Sequence, residues 1–407
     1  MNRQELASVV KDAMAQTKII DIHTHIYPAS FQEFFLWGID ELLTYHYLVA
    51  ETMRWVNMPY EEFWAMDKQA QADLVWKTLF VENTPYSEAC RGVLTVLKAL
   101  GLDTGARDLE GYREYFRSLD PAEYVDRVFA LSGVESVVMT NDPFKEKKYW
   151  DRGEVDPRFK GALRIDNLLV NWPQAVTELS SLGYSVSNTL DVTTYAEVRR
   201  FLEDWIERMS ALYVAASLSY DFVLPSESPG AKILDQCILP VCRDRNLPFA
   251  PMIGVVRRIN PALGDAGDAV RKADIGTVGY LCSRYPENKF LVTLLSRENQ
   301  HELAVLARKF RNLMVFGCWW FLNNPSLVEE ITRMRMELLG TSFIPQHSDA
   351  RVLDQLIYKW NHSKEIIAKV LVDKYSDLLE TGWVVTKEEI QRDVQKLFAG
   401  NFQEFLS

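Results

Sequence analysis

Apolar residues recur along this chain in two rhythms. Near-continuous runs appear at KIIDIH (18–23), SVVMT (136–140), FKGALRI (159–165), ALYVAASL (211–218), PFAPMIGV (248–255), KFLVTLL (289–295), NLMVFGCWW (312–320) and TSFIPQHSD (341–349). Such runs suit parallel strands buried on both faces. Between the later runs, apolar residues fall three and four apart. In Pro325–Leu339, Val328, Ile331, Met334, Leu338 and Leu339 make one helical face, and Gly340 stops it. Strands alternating with helices build βαβ units and a parallel sheet. Eight strands are the number that closes a barrel. The chain therefore reads as α/β, a single (β/α)8 TIM barrel over residues 1–407.

Two stretches exceed a bare barrel. Residues 27–130, between the first two strands, are too long for a connecting loop and are rich in helix signals. They predict a helical insertion at the barrel mouth. Within it, Asp120-Pro121-x-Glu123 predicts a helix start, with Pro in the first turn and Glu reaching back. Asn141-Asp142-Pro143 predicts a turn and another helix start. Near the end, Thr386-x-x-Glu389 predicts a capping box. Ile390, Val394, Leu397 and Phe398 follow it, and Gly400 is the expected stop.

Composition narrows the partners. The net charge of -11 argues against nucleic acid and anionic membrane, since both are polyanions. It leaves room for a small anion held by a few placed arginines. The first sixteen residues read as an amphipathic helix without the apolar core of a signal peptide. The longest apolar stretch, 313–322, covers about half of the ~20 residues a membrane helix needs. The five cysteines form no CxxC pair, so they read as buried free thiols in a reducing compartment. The expectation is a soluble cytoplasmic protein. There is no Gly-rich phosphate loop, and the exposed faces are too ordinary to define an interface. A homo-oligomer is expected only by analogy with other barrel enzymes.

The chemistry concentrates at two strand ends. His23 and His25 lie two apart on the first strand, so they face one way and can aim at one point. Two imidazoles so placed can bind one metal ion or the vicinal hydroxyls of a sugar. Asp349 closes the last strand, which in a closed barrel lies beside the first. A carboxylate there can serve as metal ligand, general base or both; alone it reads equally well as a helix cap.

His-x-His after the first strand with Asp after the last resembles the amidohydrolase superfamily. Within it, the chain resembles the uronate isomerases from about residue 18 to about residue 360. Five further pieces carry that resemblance in order. They are Leu43-Thr44-Tyr45-His46-Tyr47 in the insertion, Arg164-Ile165-Asp166, Gly254-Val255-Val256-Arg257, Trp319-Trp320, and Asp349-Ala350-Arg351. Three departures stand out. Met252 occupies a common histidine position, the fourth strand ends Ser217-Leu218-Ser219 without lysine, and the sixth has no histidine before His301. The metal set is then at most His23, His25 and Asp349, enough for one catalytic zinc but not for a binuclear hydrolase centre.

The resemblance implies a reaction on sugar acids in their acyclic form. D-Glucuronate becomes D-fructuronate, and D-galacturonate becomes D-tagaturonate, through an enediol. It implies Asp349 as the base. A metal on His23 and His25, Arg351 or a protonated histidine would stabilise the enediolate. Tyr47 or His46 would pass the proton between O1 and O2. Arg164, Arg257 and Arg351 are the candidates for the substrate carboxylate, and Trp319 and Trp320 for a sugar-stacking wall. Two other classes stay open: a mononuclear metal-dependent hydrolase of lactones or amides, and a barrel that binds sugar acids without turnover. A metal-assisted hydride shift competes with proton transfer.

Overall fold

The apolar runs become strands because both of their faces can be buried. The computed structural model describes residues 1–153 and 155–407. Among them nine strands form. They are β1 (Ile19–Thr24), β2 (Val134–Met139), β3 (Phe159–Lys160), β4 (Leu163–Arg164), β5 (Val214–Ser219), β6 (Phe249–Val256), β7 (Ala269–Val270), β8 (Phe290–Leu294) and β9 (Leu313–Val315). One ladder runs β1-β2-β3 and the other β4-β5-β6-β8-β9. All these pairs are parallel, while β7 is an antiparallel flap on β6.

Two junctions turn the ladders into a ring of eight staves. The third stave is split into β3 and β4 at Gly161 and Ala162. A Cβ at Gly161 would stand 2.6 Å from the Met209 carbonyl oxygen, so only glycine lets the backbones approach there. Asn141 bridges to Leu163 and joins the ladders. The eighth stave, 344–349, has no regular pairing, in keeping with a Pro345 that offers no N–H. It is held at its ends instead. Ile344 pairs with Phe316, the Asp349 N–H donates to the His23 carbonyl (3.2 Å), and the His25 N–H donates to the Ala350 carbonyl (2.7 Å). Buried Asp21 adds a cross-link: it accepts from the Ser348 N–H (3.1 Å) and from Trp360 Nε1 (2.8 Å). The first and last staves are thereby neighbours, and the parallel α/β barrel is closed.

The interior confirms the count. Ile22, Val138, Ala162, Ala215, Ala250, Leu291, Phe316 and Ile344, one from each stave, belong to one buried cluster with Phe402. Phe402 lies on the helix Asn401–Leu406. That helix corrects the expected stop at Gly400. The backbone stays helical through 396–400, because Phe402 continues the buried face. Other terminators and caps hold. Gly340 ends Pro325–Leu339, Asp142 caps Pro143–Trp150, and Thr386 and Glu389 close a capping box. Asp120 caps Pro121–Ser132 through the N–H groups of Ala122 and Glu123, but Glu123 does not reach back.

Helices occupy most of the sequence between β1 and β2. Two of them, His46–Thr52 and Tyr60–Ala65, rest on the turn Pro261–Gly267 beyond β6, where Trp64 Nε1 donates to the Ala262 carbonyl (2.9 Å). All five cysteines are buried and free. No helix among the described residues is long and apolar enough to cross a membrane.

Candidate active site

His23 and His25 leave β1 on one face, as the two-residue repeat of a strand requires. Their rings meet edge to face with centroids 5.4 Å apart. Asp349 reaches them from the adjacent eighth stave. Its backbone sits in the left-handed region (φ 53°), a conformation Asp tolerates better than most residues. His23 Nε2 lies 3.6 Å and His25 Nε2 3.4 Å from Asp349 Oδ1.

These separations are long for hydrogen bonds. They match two donor atoms of one tetrahedral ion, which lie roughly 3.4 Å apart when each is about 2.1 Å from the metal. Asp349 Oδ1 is buried without a hydrogen-bond partner among the described residues. Burial holds His23 down at about 3 and also keeps His25 well below its ordinary value, so both rings are neutral imidazoles. The three ligand atoms lie within 4.8 Å of one another, and the residues fit a divalent cation. Since the Asp349 side chain retains 11 % exposure, its second oxygen is the one left to face the cavity.

That cavity encloses about 470 Å³ of non-atom space, open solvent at its mouth included. His23, His25, His46, Arg164, Arg257, Trp319, Trp320, Asp349 and Arg351 all line it. Tyr47, also singled out from sequence, does not. It stands behind His46 and stacks on Phe321 (6.3 Å between centroids), with the Lys359 ammonium 5.6 Å from its ring. His46 faces Trp320 at 5.7 Å, its buried Nε2 has no partner among the described residues, and burial keeps it neutral.

The three arginines differ in how firmly they are held. Arg164 makes two bonds to Asp166 (2.9 and 2.5 Å), and that carboxylate holds its guanidinium more basic than usual. Arg257 pairs with Asp268 (2.6 Å), donates to Ser217 Oγ (3.3 Å) and lies 6.0 Å above the Trp320 ring. Among the described residues, the Arg351 guanidinium has only a 3.7 Å contact with the exposed Asp265. Ser217 and Met252 also line the wall, where the sequence departs from the hydrolase pattern, while His301 is exposed on the helix Gln300–Ala307.

Two polar residues next to the histidines escaped the sequence reading. Thr140, at the end of β2, contacts His25 Nδ1 (2.7 Å), and Tyr213, just before β5, contacts His23 Nδ1 (3.2 Å). A hydroxyl at a strand end was the available signal, but which histidine it meets depends on how the staves tilt.

No protein-family model and no curated protein matches this chain. Solved structures do. A uronate isomerase from Bacillus halodurans C-125 is 57% identical, with a TM-score of 0.98 over 100% of this chain and 97% of its own. A uronate isomerase from Thermotoga maritima (17% identity, TM-score 0.76, 99% and 97% covered) and a glucuronate isomerase from Caulobacter crescentus (14%, 0.81, 99% and 94%) share the fold.

Proposed function

Because this chain belongs to the uronate isomerase family, we propose that it interconverts D-glucuronate with D-fructuronate, and D-galacturonate with D-tagaturonate, by proton transfer through an enediol. One observation carries the chemistry: the free side of the Asp349 carboxylate and three guanidiniums share one cavity. The carboxylate is a base for a carbon acid. The guanidiniums answer the negative charge of a sugar acid and of the enediolate.

Asp349 removes the proton from C2 as the C1 carbonyl becomes an enol, then returns it to C1. Meanwhile O1 gains a proton and O2 gives one up. His46 on the wall, with Tyr47 behind it, is placed to move that second proton. Arg351, the least engaged guanidinium, keeps its donors for substrate, while Arg164 and Arg257 supply fixed positive charge. Trp319 and Trp320 form an apolar wall against which a sugar face can rest. His23, His25 and Asp349 would hold the divalent ion, and we take it to be zinc from its nitrogen and oxygen donors. When bound, it supplies charge that polarises a substrate oxygen. The cytoplasm is the expected compartment, consistent with free thiols at all five cysteines.

Proton NMR of the protein with each uronate in deuterated buffer tests the reading. Conversion to the ketose with deuterium at C1 is expected. Folded protein that turns over neither uronate would sink it.

A further inference from the structure

Both histidines are braced by the same construction. The Tyr213 hydroxyl touches two groups, the Ile22 carbonyl (2.7 Å) and His23 Nδ1 (3.2 Å). The Thr140 hydroxyl touches the Thr24 carbonyl (2.9 Å) and His25 Nδ1 (2.7 Å). In each case one hydroxyl spans the carbonyl of the preceding residue and the Nδ1 of the histidine. Tyr213 and Thr140 are both buried, and Thr140 also lines the cavity.

A hydroxyl has one proton, a carbonyl can only accept, and an imidazole nitrogen can do either. Both contacts are satisfied together in a single way. The hydroxyl donates to the carbonyl, and Nδ1–H donates to the hydroxyl oxygen. Each Nε2 then carries a lone pair, and both Nε2 atoms face Asp349 Oδ1. The opposite tautomer would put N–H groups into the gap and break the hydroxyl-to-carbonyl bond, although the Thr24 carbonyl would keep the bond it accepts from the Thr140 N–H (3.0 Å).

We propose that Thr140 and Tyr213 are positioning residues that lock His25 and His23 as Nδ1–H tautomers, so that both Nε2 lone pairs converge on one divalent cation. The proposal rests on the reading of His23, His25 and Asp349 as a cation site. Partners of this kind fix ring orientation in metal sites, and their loss costs about 10–100-fold in metal affinity.

The test has two arms on the full-length protein. The first reads tautomers without metal, by long-range proton–nitrogen correlation on chelator-treated protein with nitrogen-labelled histidine; only six histidines contribute. His23 and His25 should both report Nδ1–H. Thr140→Val should release His25 alone and Tyr213→Phe His23 alone, while Thr140→Ser should behave as the wild type. The second arm is Zn²⁺ titration against a competing chelator. Affinity should fall about 10–100-fold in Thr140→Val and Tyr213→Phe and be kept in Thr140→Ser, with unfolding midpoints recorded alongside. Nε2–H at either wild-type histidine overturns the proposal. So do released tautomers with unchanged zinc affinity, or unchanged tautomers in both variants. Wild-type protein with the expected tautomers but no zinc binding would refute the cation reading and leave the hydroxyl locks established.

Discussion

In the proposed mechanism Asp349 and Arg351 divide the labour at the cavity wall, and each can be removed separately. Asp349→Asn keeps shape but removes basicity, so isomerisation should fall at least about 10²-fold while the fold survives; steady-state turnover with circular dichroism checks both halves. Arg351→Lys keeps the charge but loses the fork, which is worth about 1.5–3 kcal/mol for a charged hydrogen-bonded pair. The expected result is a fall in kcat/KM of roughly 10- to 100-fold for either uronate, read from initial rates. A drop confined to stability would assign Arg351 to structure instead. At this scale much of the site was legible. His23 and His25 declare themselves because strand periodicity alone puts them on one face. Tyr47 did not sort itself from His46, because consecutive helical residues diverge by about 100° and aromatics occupy both directions here. Thr140 and Tyr213 were invisible because a lone hydroxyl near a strand end has too many uses.

The second stave ends in a knot that holds Thr140 in place. Glu146, buried on the helix Pro143–Trp150, accepts from Tyr27 (2.8 Å), Asn141 (2.7 Å), the Asp142 N–H (2.8 Å) and Trp150 (3.2 Å), with no cation among its partners. Burial pushes its carboxyl up to about 7. Its raised pKa makes the native state hold a proton that the unfolded protein has lost. The group's contribution is therefore full below about 4.5 and is lost as pH rises through about 7, by up to about 3 kcal/mol. Denaturant unfolding at pH 5 and pH 8 should show this loss in the wild type and not in Glu146→Gln, whose absolute stability is lower at both. Among the elements, the helix Pro325–Leu339 and the helix starts at Pro121, Pro143 and Lys387 were plain from sequence. The third and seventh runs were not. FKGALRI splits where Gly161 lets another backbone segment pass. NLMVFGCWW is strand only to Val315, and Trp320 (φ 47°) then opens a short turn that aims its ring at the cavity. A continuous apolar run does not say where its backbone leaves the ladder.

Across the whole molecule, the mouth and the floor of the barrel serve different ends. Barrel chemistry belongs to the C-terminal mouth and stability to the opposite face. Phe402, 2 % exposed, packs into the interior cluster beside Tyr213. Phe402→Ala should cost about 3–5 kcal/mol and lower the unfolding midpoint while leaving KM unchanged in the folded fraction. A raised KM would mean that the floor reaches the substrate. The alternation of strands and helices made the barrel legible at this scale. Its closure was legible too, from the eight runs, but not the way it is made, since the eighth stave's pairing rests on isolated contacts rather than on a ladder. One of them, the bond between Ser348 and Asp21, ties together positions 327 apart in sequence. A polypeptide emerging residue by residue makes its histidines more than 300 residues before their carboxylate partner. Enzymatic competence is then among the last properties acquired in maturation, and a stalled or refolding intermediate with seven good staves is structured yet silent. The appearance of turnover in a refolding experiment should lag the recovery of helix signal, which makes the reaction itself a clock for ring closure.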